Sequence, residues 1–310
     1  MIVETVPAAL AGERLDRVVA LMLDVSRSVA VAVIEAGGVV VDEVVATTGK
    51  VRLAEGQQVA TDPSAIPLEQ PPQADPTVEF GVIHEDEHIV VIDKPAGLVV
   101  HPGAGNPDHT LVNGLLARYP DVAGVGEQIR SGIVHRLDAG SSGLLVVART
   151  QEAADLLMAQ FASHHARRVY LALVWGHPEA PHGVIDAPIG RSRRDPLRMA
   201  VVADGRRSRT EYRVVDRFDT PADLALLQCQ LETGRTHQIR VHLSSINHPL
   251  VGDPIYGQRR PKLQLERPFL HAVELVFDHP ATGESVMYRS ELASDLAERL
   301  STLRRTAREL

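Results

Sequence analysis

Residues 132–163 read GIVHRLDAGSSGLLVVARTQEAADLLMAQFAS, and they hold a turn, a strand and a helix in succession. The run from Gly143 to Arg149 is short, apolar and rich in Leu and Val, which predicts a buried strand. From Gln151 to Ser163, Ala154, Leu157, Met158 and Phe161 fall on one face at helical spacing, which predicts an amphipathic helix. Ahead of both, an acid follows a leucine, and Ala-Gly-Ser-Ser-Gly follows the acid. Small residues permit a tight turn and a close approach of backbone to a ligand, so Asp138 is expected to project from a loop into a cleft. Taken alone, a surface turn capped by Asp138, with Arg136 in a surface pair, is the plainer reading of the same residues.

Outward from this stretch, apolar runs predict strands at His88–Asp93, Gly97–His101, Val169–Trp175, Thr210–Val215 and Leu224–Leu231. Leu270–Phe277 and Ser285–Ser290 flank the turn signal His279-Pro280-Ala281-Thr282-Gly283 and predict a hairpin. Asp295–Leu310 predicts a closing amphipathic helix. Strands and helices do not alternate regularly, so the class expected is α+β with a mixed sheet.

Toward the N-terminus, prolines stand at 63, 67, 71, 72 and 76. Proline fixes φ and lacks a backbone donor, so residues 62–76 are expected to link a module of residues 1–61 to a large domain of residues 77–310. In the module, Leu15, Val18, Val19, Met22 and Leu23 recur at helical spacing. Val29–Ile34 predicts a second helix behind Ser26 as N-cap, and Val39–Val41 a strand after Gly37-Gly38.

Composition narrows the class. The chain has 310 residues, 44% hydrophobic and 23% charged, which rules out wholesale disorder. Cys229 is the single cysteine, so a disulfide framework or cysteine-rich zinc site within one chain is excluded. The first residues lack the basic start and apolar core of a signal peptide, and no apolar run approaches 18 residues. A cytoplasmic protein without membrane contact is expected. The net charge of −8 argues against nucleic acid as partner, but charge is local. Between Arg191 and Arg209 lie seven arginines against Asp195 and Asp204, about +5 over nineteen residues. Arg259, Arg260, Lys262 and Arg267, with Glu266, form a second basic patch. Phosphate binding needs only a local field.

Four further segments join the first: HIVVIDKPAGLVVHP from His88, Arg168-Val169-Tyr170 after the helix, LETGRTHQIRVHL from Leu231, and HPLVGDPIYG from His248. In content and order these motifs resemble the RluA/RluD family of RNA pseudouridine synthases over about residues 80–280. The module resembles the small S-four RNA-binding domain in Arg14-Leu15-Asp16, Ser26-Arg27-Ser28 and IEAGGVVVDEVV, with Asp42-Glu43 where Asn-Gly is usual. The resemblance implies a largely antiparallel mixed sheet and, as substrate, ribosomal RNA, most readily that of the large subunit. It implies Asp138 as the catalytic aspartate, Tyr170 as the active-site tyrosine and Arg240 as the arginine paired with Asp138. Arg136 falls where RNA is contacted near a flipped nucleotide. Arg193, Arg194, Arg206, Arg207 and Arg27 are the further RNA-binding candidates. Ser141 stands where threonine is commoner, and Arg168 where lysine usually precedes the tyrosine by two.

The chemistry suits these residues. Pseudouridylation breaks the ribose–nitrogen bond, turns the ring and rebonds ribose to a ring carbon. A carboxylate can serve as nucleophile or base at the sugar, and a tyrosine can stack on uracil. No redox step or phosphate activation occurs, so neither organic cofactor nor metal is expected, and a monomer suffices. His135, His237 and His242 read as structural histidines, Asp93 and Asp253 as turn or cap carboxylates, and Tyr256 and Gly257 as structural. Two rival readings remain: a non-catalytic RNA-binding assembly factor, and a nucleoside or glycoside hydrolase that pairs Asp138 with Asp93.

Overall fold

The computed structural model describes residues 1–25, 27–67, 71–103, 106–126, 130–195, 198–257, 263 and 265–306. The chain divides into two compact units, Met1–Gln70 and Pro71–Leu310.

In the first unit the order is β1 (Ile2–Thr5), α1 (Leu15–Leu23), α2 (Arg27–Glu35), β2 (Val39–Val41), β3 (Val44–Val45) and β4 (Gln58–Thr61), with strands ordered β1-β4-β2-β3. Leu15, Val18 and Val19 of α1 pack with Ala30, Val33 and Ile34 of α2 over Val39 and Val59. Asp42 and Glu43 join β2 to β3 with positive φ at both positions (46° and 68°). This two-residue hairpin geometry favours Asn-Gly, and Asp42 is held in it by accepting hydrogen bonds from the Gln58 N–H (2.8 Å) and the Gln57 amide (2.7 Å). Ser26, expected as the cap of α2, lies outside the described residues.

The second unit runs β5 (Gly81–Glu85), β6 (Ile89–Lys94), α3 (Leu111–Arg118), β7 (Ser142–Ala148), α4 (Gln151–Ala162), β8 (Arg167–Trp175), β9 (His182–Asp186), β10 (Ile189–Arg191) and β11 (Met199–Val201). It continues with β12 (Arg209–Phe218), β13 (Leu224–Leu231), α5 (Gln238–Ser245), β14 (Leu270–Asp278), β15 (Ser285–Arg289) and α6 (Ser294–Thr306). Nine strands form one sheet in the order β5-β6-β7-β14-β8-β13-β12-β9, with β15 also on β14. Among the described strands only β7 and β14 pair parallel, so the sheet is mixed and largely antiparallel. At that junction Gly143 has φ +108°, and a Cβ there would stand 2.3 Å from the Ala272 carbonyl oxygen. A side chain at Gly143 would therefore clash at the seam where the two halves of the sheet meet.

The central strands are buried on both faces, which explains their unbroken apolar runs. Val90, Ile92, Leu145 and Val147 pack with Leu111 and Leu115 of α3 on one face. Ile89, Val91, Leu144 and Val146 pack with Ala153, Ala154 and Leu157 of α4 on the other. Leu296, Leu300 and Leu303 of α6 cover Trp175, Phe218 and Phe269. Each Val, Leu, Ile or Phe side chain among these, fully buried, contributes about 1.5–3 kcal/mol.

The Gly97–His101 run is not a strand. Gly97 has φ +88°, which turns the chain away from the sheet. The carbonyls of Val99 and Val100 then accept the N–H groups of Leu111 and Val112 at the start of α3 (2.8 and 3.2 Å). Of this run only Val100 is fully buried, and the run anchors the start of α3. Strand β8 begins at Arg167, two residues before the predicted edge, which brings Arg168 into the sheet.

Candidate active site

Asp138 is held by backbone bonds on both sides. Its carbonyl accepts the Ser141 N–H at 3.0 Å, and the neighbouring Ala139 carbonyl accepts the Gly97 N–H at 2.8 Å. Leu137, just before it, is anchored in the core. Lys94 at the end of β6 completes the support. It is fully buried, and its Nζ donates to the carbonyls of Pro95 (2.7 Å), Leu98 (2.8 Å) and Ala139 (3.3 Å). Burial pulls its pKa down to about 7, against the opposing pull of the Asp138 carboxylate. The sequence reading passed over Lys94. The signal was a lysine ending a run of buried residues, followed at once by proline.

Arg240 comes from α5, whose N-terminal neighbour His237 has φ +56°. The guanidinium is buried and has two carboxylate partners. Its Nε and Nη2 donate to Asp253 Oδ2 (2.7 Å) and Oδ1 (2.9 Å) in a bidentate fork, and its Nη1 donates to Asp138 Oδ2 at 3.2 Å. Asp253 does make the expected turn, accepting the N–H groups of Ile255 (2.9 Å) and Tyr256 (3.0 Å). It is also the principal partner of Arg240, which sequence spacing does not reveal. Burial pushes the Asp253 carboxyl up, and Arg240 with the two N–H donors overcomes this, holding it below its usual range. The Tyr256 ring lies 5.1 Å from the Arg240 guanidinium carbon. Its hydroxyl accepts the Met199 N–H (3.1 Å) and shares a hydrogen bond with His237 Nδ1 (2.9 Å).

Tyr170 stands on β8, and burial drives its hydroxyl up to about 12, so it is protonated at neutral pH. Asp138, Tyr170 and Arg240 line one cavity of about 660 Å³, within the range of small-ligand sites. Arg130, Arg136, Arg206 and Arg235 also line it, so its walls are cationic. His101 is there too, pulled down to about 4 by burial and by Arg136 and Arg130. Asp93 is elsewhere. It accepts the Ser290 hydroxyl (2.9 Å) and faces a separate cavity with Phe80 and Arg118. The carboxylate pair of a hydrolase is therefore not assembled.

His242 is satisfied at both nitrogens, by Thr210 Oγ1 (2.8 Å) and the Ala187 carbonyl (2.9 Å). His135 accepts the Val146 N–H at Nε2 (3.0 Å) and packs on Phe161 at 4.5 Å, and burial lowers it to about 3. Among the described residues, four buried side-chain polar atoms lack a partner. Three of them, His135 Nδ1, Ser141 Oγ and Arg168 Nε, belong to residues that line this cavity.

The remaining arginines divide. Arg136 and Arg206 are exposed at the cavity. Arg193 pairs with Asp204 (3.2 Å) and Arg207 with Glu232 (3.3 Å), while Arg209 holds Glu232 and Glu211. Glu211 and Glu232 lie outside the nineteen-residue run and temper its field. Arg194 is exposed. Arg27 donates to the buried Asp16 at 3.0 Å beside Arg14. Arg267 forks onto Asp295 (2.6 and 2.7 Å), and Arg259, Arg260 and Lys262 lie outside the described residues.

A carboxylate beside a buried arginine, a buried tyrosine and arginine-lined walls thus meet in one cavity. Residues 88–245 match the family model of RNA pseudouridylate synthases, and residues 13–59 that of the S4 domain. A Chloroflexus aurantiacus protein named "Uncharacterized RNA pseudouridine synthase" is 47% identical over 95% of this chain and 91% of its own. A Nitrosomonas europaea protein named "Ribosomal large subunit pseudouridine synthase D" is 45% identical over 97% of this chain and 87% of its own. The solved structure of human RNA pseudouridylate synthase domain containing 1 matches with a TM-score of 0.57 at 25% identity, over 73% of this chain and 95% of that one. The chain belongs to the RNA pseudouridine synthase family and is an isomerase with an S4 domain ahead of its catalytic domain.

Proposed function

We propose that the protein isomerises uridines of large-subunit ribosomal RNA to pseudouridine, with Asp138 acting at the ribose, Tyr170 against the base and Arg240 positioning Asp138. The observation that carries this reading is the Asp253–Arg240–Asp138 chain, which ends in the cavity that Tyr170 lines. The name of the Nitrosomonas europaea relative supports large-subunit RNA. The target nucleotide leaves its stack and enters the cavity, at a cost of about a few kcal/mol that stacking and backbone contacts offset. Asp138, either adding to C1′ or taking a ribose proton, lets the C1′–N1 bond break. The ring turns in the cavity, C5 bonds to C1′ as Asp138 leaves C1′ or returns the ribose proton, and C5 loses its proton while N1 gains one. We place the protein in the cytoplasm, acting as a monomer on free or pre-ribosomal RNA. A map of pseudouridine in total RNA from cells with and without the gene tests the proposal, and absence of any lost site in large-subunit RNA refutes the substrate.

Tyr170→Phe keeps the stacking ring and removes the hydroxyl. Single-turnover isomerisation is expected to fall about 10²-fold, with RNA affinity unchanged in a filter-binding assay. Equal losses in both would make the hydroxyl a binding group.

Replacing Arg193, Arg194, Arg206 and Arg207 together by alanine is expected to flatten the salt dependence of RNA binding. Each phosphate contact on single-stranded RNA contributes about −0.7 to the slope of log affinity against log salt, so four contacts give a change of roughly 3. Affinity titrations at several salt concentrations measure it, and an unchanged slope would return these residues to the solvated surface.

A further inference from the structure

Arg168 is a buried cation that no carboxylate among the described residues neutralises. It is 7% exposed. Its Nη2 donates to the Glu232 carbonyl at 3.3 Å, its guanidinium carbon lies 5.2 Å from the Phe161 ring centroid, and its Nε has no partner. It forms no ion pair among the described residues. Arg240, by contrast, is buried against two carboxylates. An unneutralised guanidinium beneath the surface is costly to hold, and orphaned buried donors at a site call for a reason.

Three placements supply one. Arg168 and Tyr170 are two residues apart on β8 and so share a face of the strand. Both line the cavity that Asp138 enters. Gly234, in the loop before α5, is fitted to the guanidinium, since a Cβ there would stand 2.6 Å from Arg168 Nη1. Gly234 needs no unusual φ, so its lack of a side chain serves the close approach of Arg168.

Resting on the isomerase reading above, we propose that Arg168 is a catalytic residue that stabilises the uracil anion released during isomerisation by donating to a carbonyl oxygen of the detached base. When the C1′–N1 bond breaks, its electron pair stays on uracil and the negative charge spreads over O2 and O4. Asp138 meets the electron deficiency at the sugar, and Arg168 meets the opposite charge on the base. The pair returns as the C1′–C5 bond forms, C5 loses its proton and N1 takes one up, so no net proton or electron is exchanged. A preorganised cation in a site closed to water acts most strongly on charge that develops during reaction. Backbone phosphates are better served by the exposed Arg136 and Arg206.

The test uses the full chain and large-subunit ribosomal RNA transcribed in vitro without modification. Arg168→Gln keeps hydrogen-bond donors and removes the charge. It is expected to lower the single-turnover rate at saturating RNA by about 10²–10³-fold, with RNA affinity within about threefold and the salt slope unchanged. Arg168→Lys, which keeps the charge, is expected to recover most of the lost rate. Gly234→Ala displaces the guanidinium without deleting it and is expected to slow the rate at least about tenfold, which keeps the inference testable if Arg168→Gln folds poorly. An Arg168→Gln rate within threefold of the parent overturns the inference. So does a shallower salt slope with normal turnover, which assigns Arg168 to phosphate. Inactivity of the parent protein on this RNA would instead count against the substrate reading.

Discussion

Asp138→Asn is expected to abolish isomerisation, with a loss of at least about 10⁴-fold in single-turnover rate, as when an active-site group acting at the reacting atom is removed. Asparagine has the shape of aspartate and keeps the backbone bonds that hold the turn, so the amide would stand where the carboxylate stood. It can neither add to C1′ nor accept a ribose proton. The same change is expected to cost little stability, within about 1 kcal/mol. Arg240 is clamped by Asp253 through two hydrogen bonds at 2.7 and 2.9 Å, and its third, to Asp138, is the longest at 3.2 Å. The Asp138 side chain is 17% exposed and that of Asp253 is not exposed at all, so removing the Asp138 charge leaves Arg240 still neutralised. A pseudouridine assay on the purified variant and its thermal unfolding together check this. Activity within tenfold of the parent would remove Asp138 from the chemistry, and a fall of many degrees in Tm would mean that the Asp138–Arg240 bond is structural.

The split between legible and hidden features follows from what each depends on. The strands at Ile89–Lys94 and Ser142–Ala148 and the helix at Gln151–Ala162 were readable because burial on two faces or on one stripe imposes a period on the sequence. The hairpin of β14 and β15 was readable from its turn residues. The short strands β9 to β11 and the helices α3 and α5 carry weaker periods and were not read. Asp138, Tyr170 and Arg240 were named from motifs, and the fold brings them to one cavity from a loop, a strand and a helix. Asp253 and Lys94 were hidden because their roles lie in long-range contacts. A carboxylate that starts a turn looks the same in sequence whether or not an arginine thirteen residues back reaches it. A lysine at a strand end shows nothing of the carbonyl 45 residues away that it holds.

Asp253→Asn is expected to reverse the pattern of Asp138→Asn, with a large loss of stability and a loss of activity that follows from it. The Asp253 carboxylate is fully buried and accepts from Arg240 Nε and Nη2 and from the N–H groups of Ile255 and Tyr256. Asparagine supplies one oxygen for these donors and turns an amide N–H₂ toward a guanidinium N–H. Breaking a buried ion pair at one partner costs about 3–5 kcal/mol. For a domain of this size, about 2–4 °C of Tm accompanies each kcal/mol, so a fall of roughly 6–20 °C is expected. The remaining Asp138 cannot take over, because it receives only Nη1. The pH dependence has a definite sign. The folded-state pKa of Asp253 lies below its ordinary value of 3.8, so its contribution is present above that value and is lost as pH falls through the folded-state pKa. The variant lacks that contribution at every pH. The gap in stability between parent and variant should therefore be constant near neutrality and close on acidification below the usual carboxylate range. Thermal unfolding of both proteins from neutral to acid pH measures this, and a variant within about 2 °C of the parent at neutral pH would show that Arg240 is held by something other than Asp253.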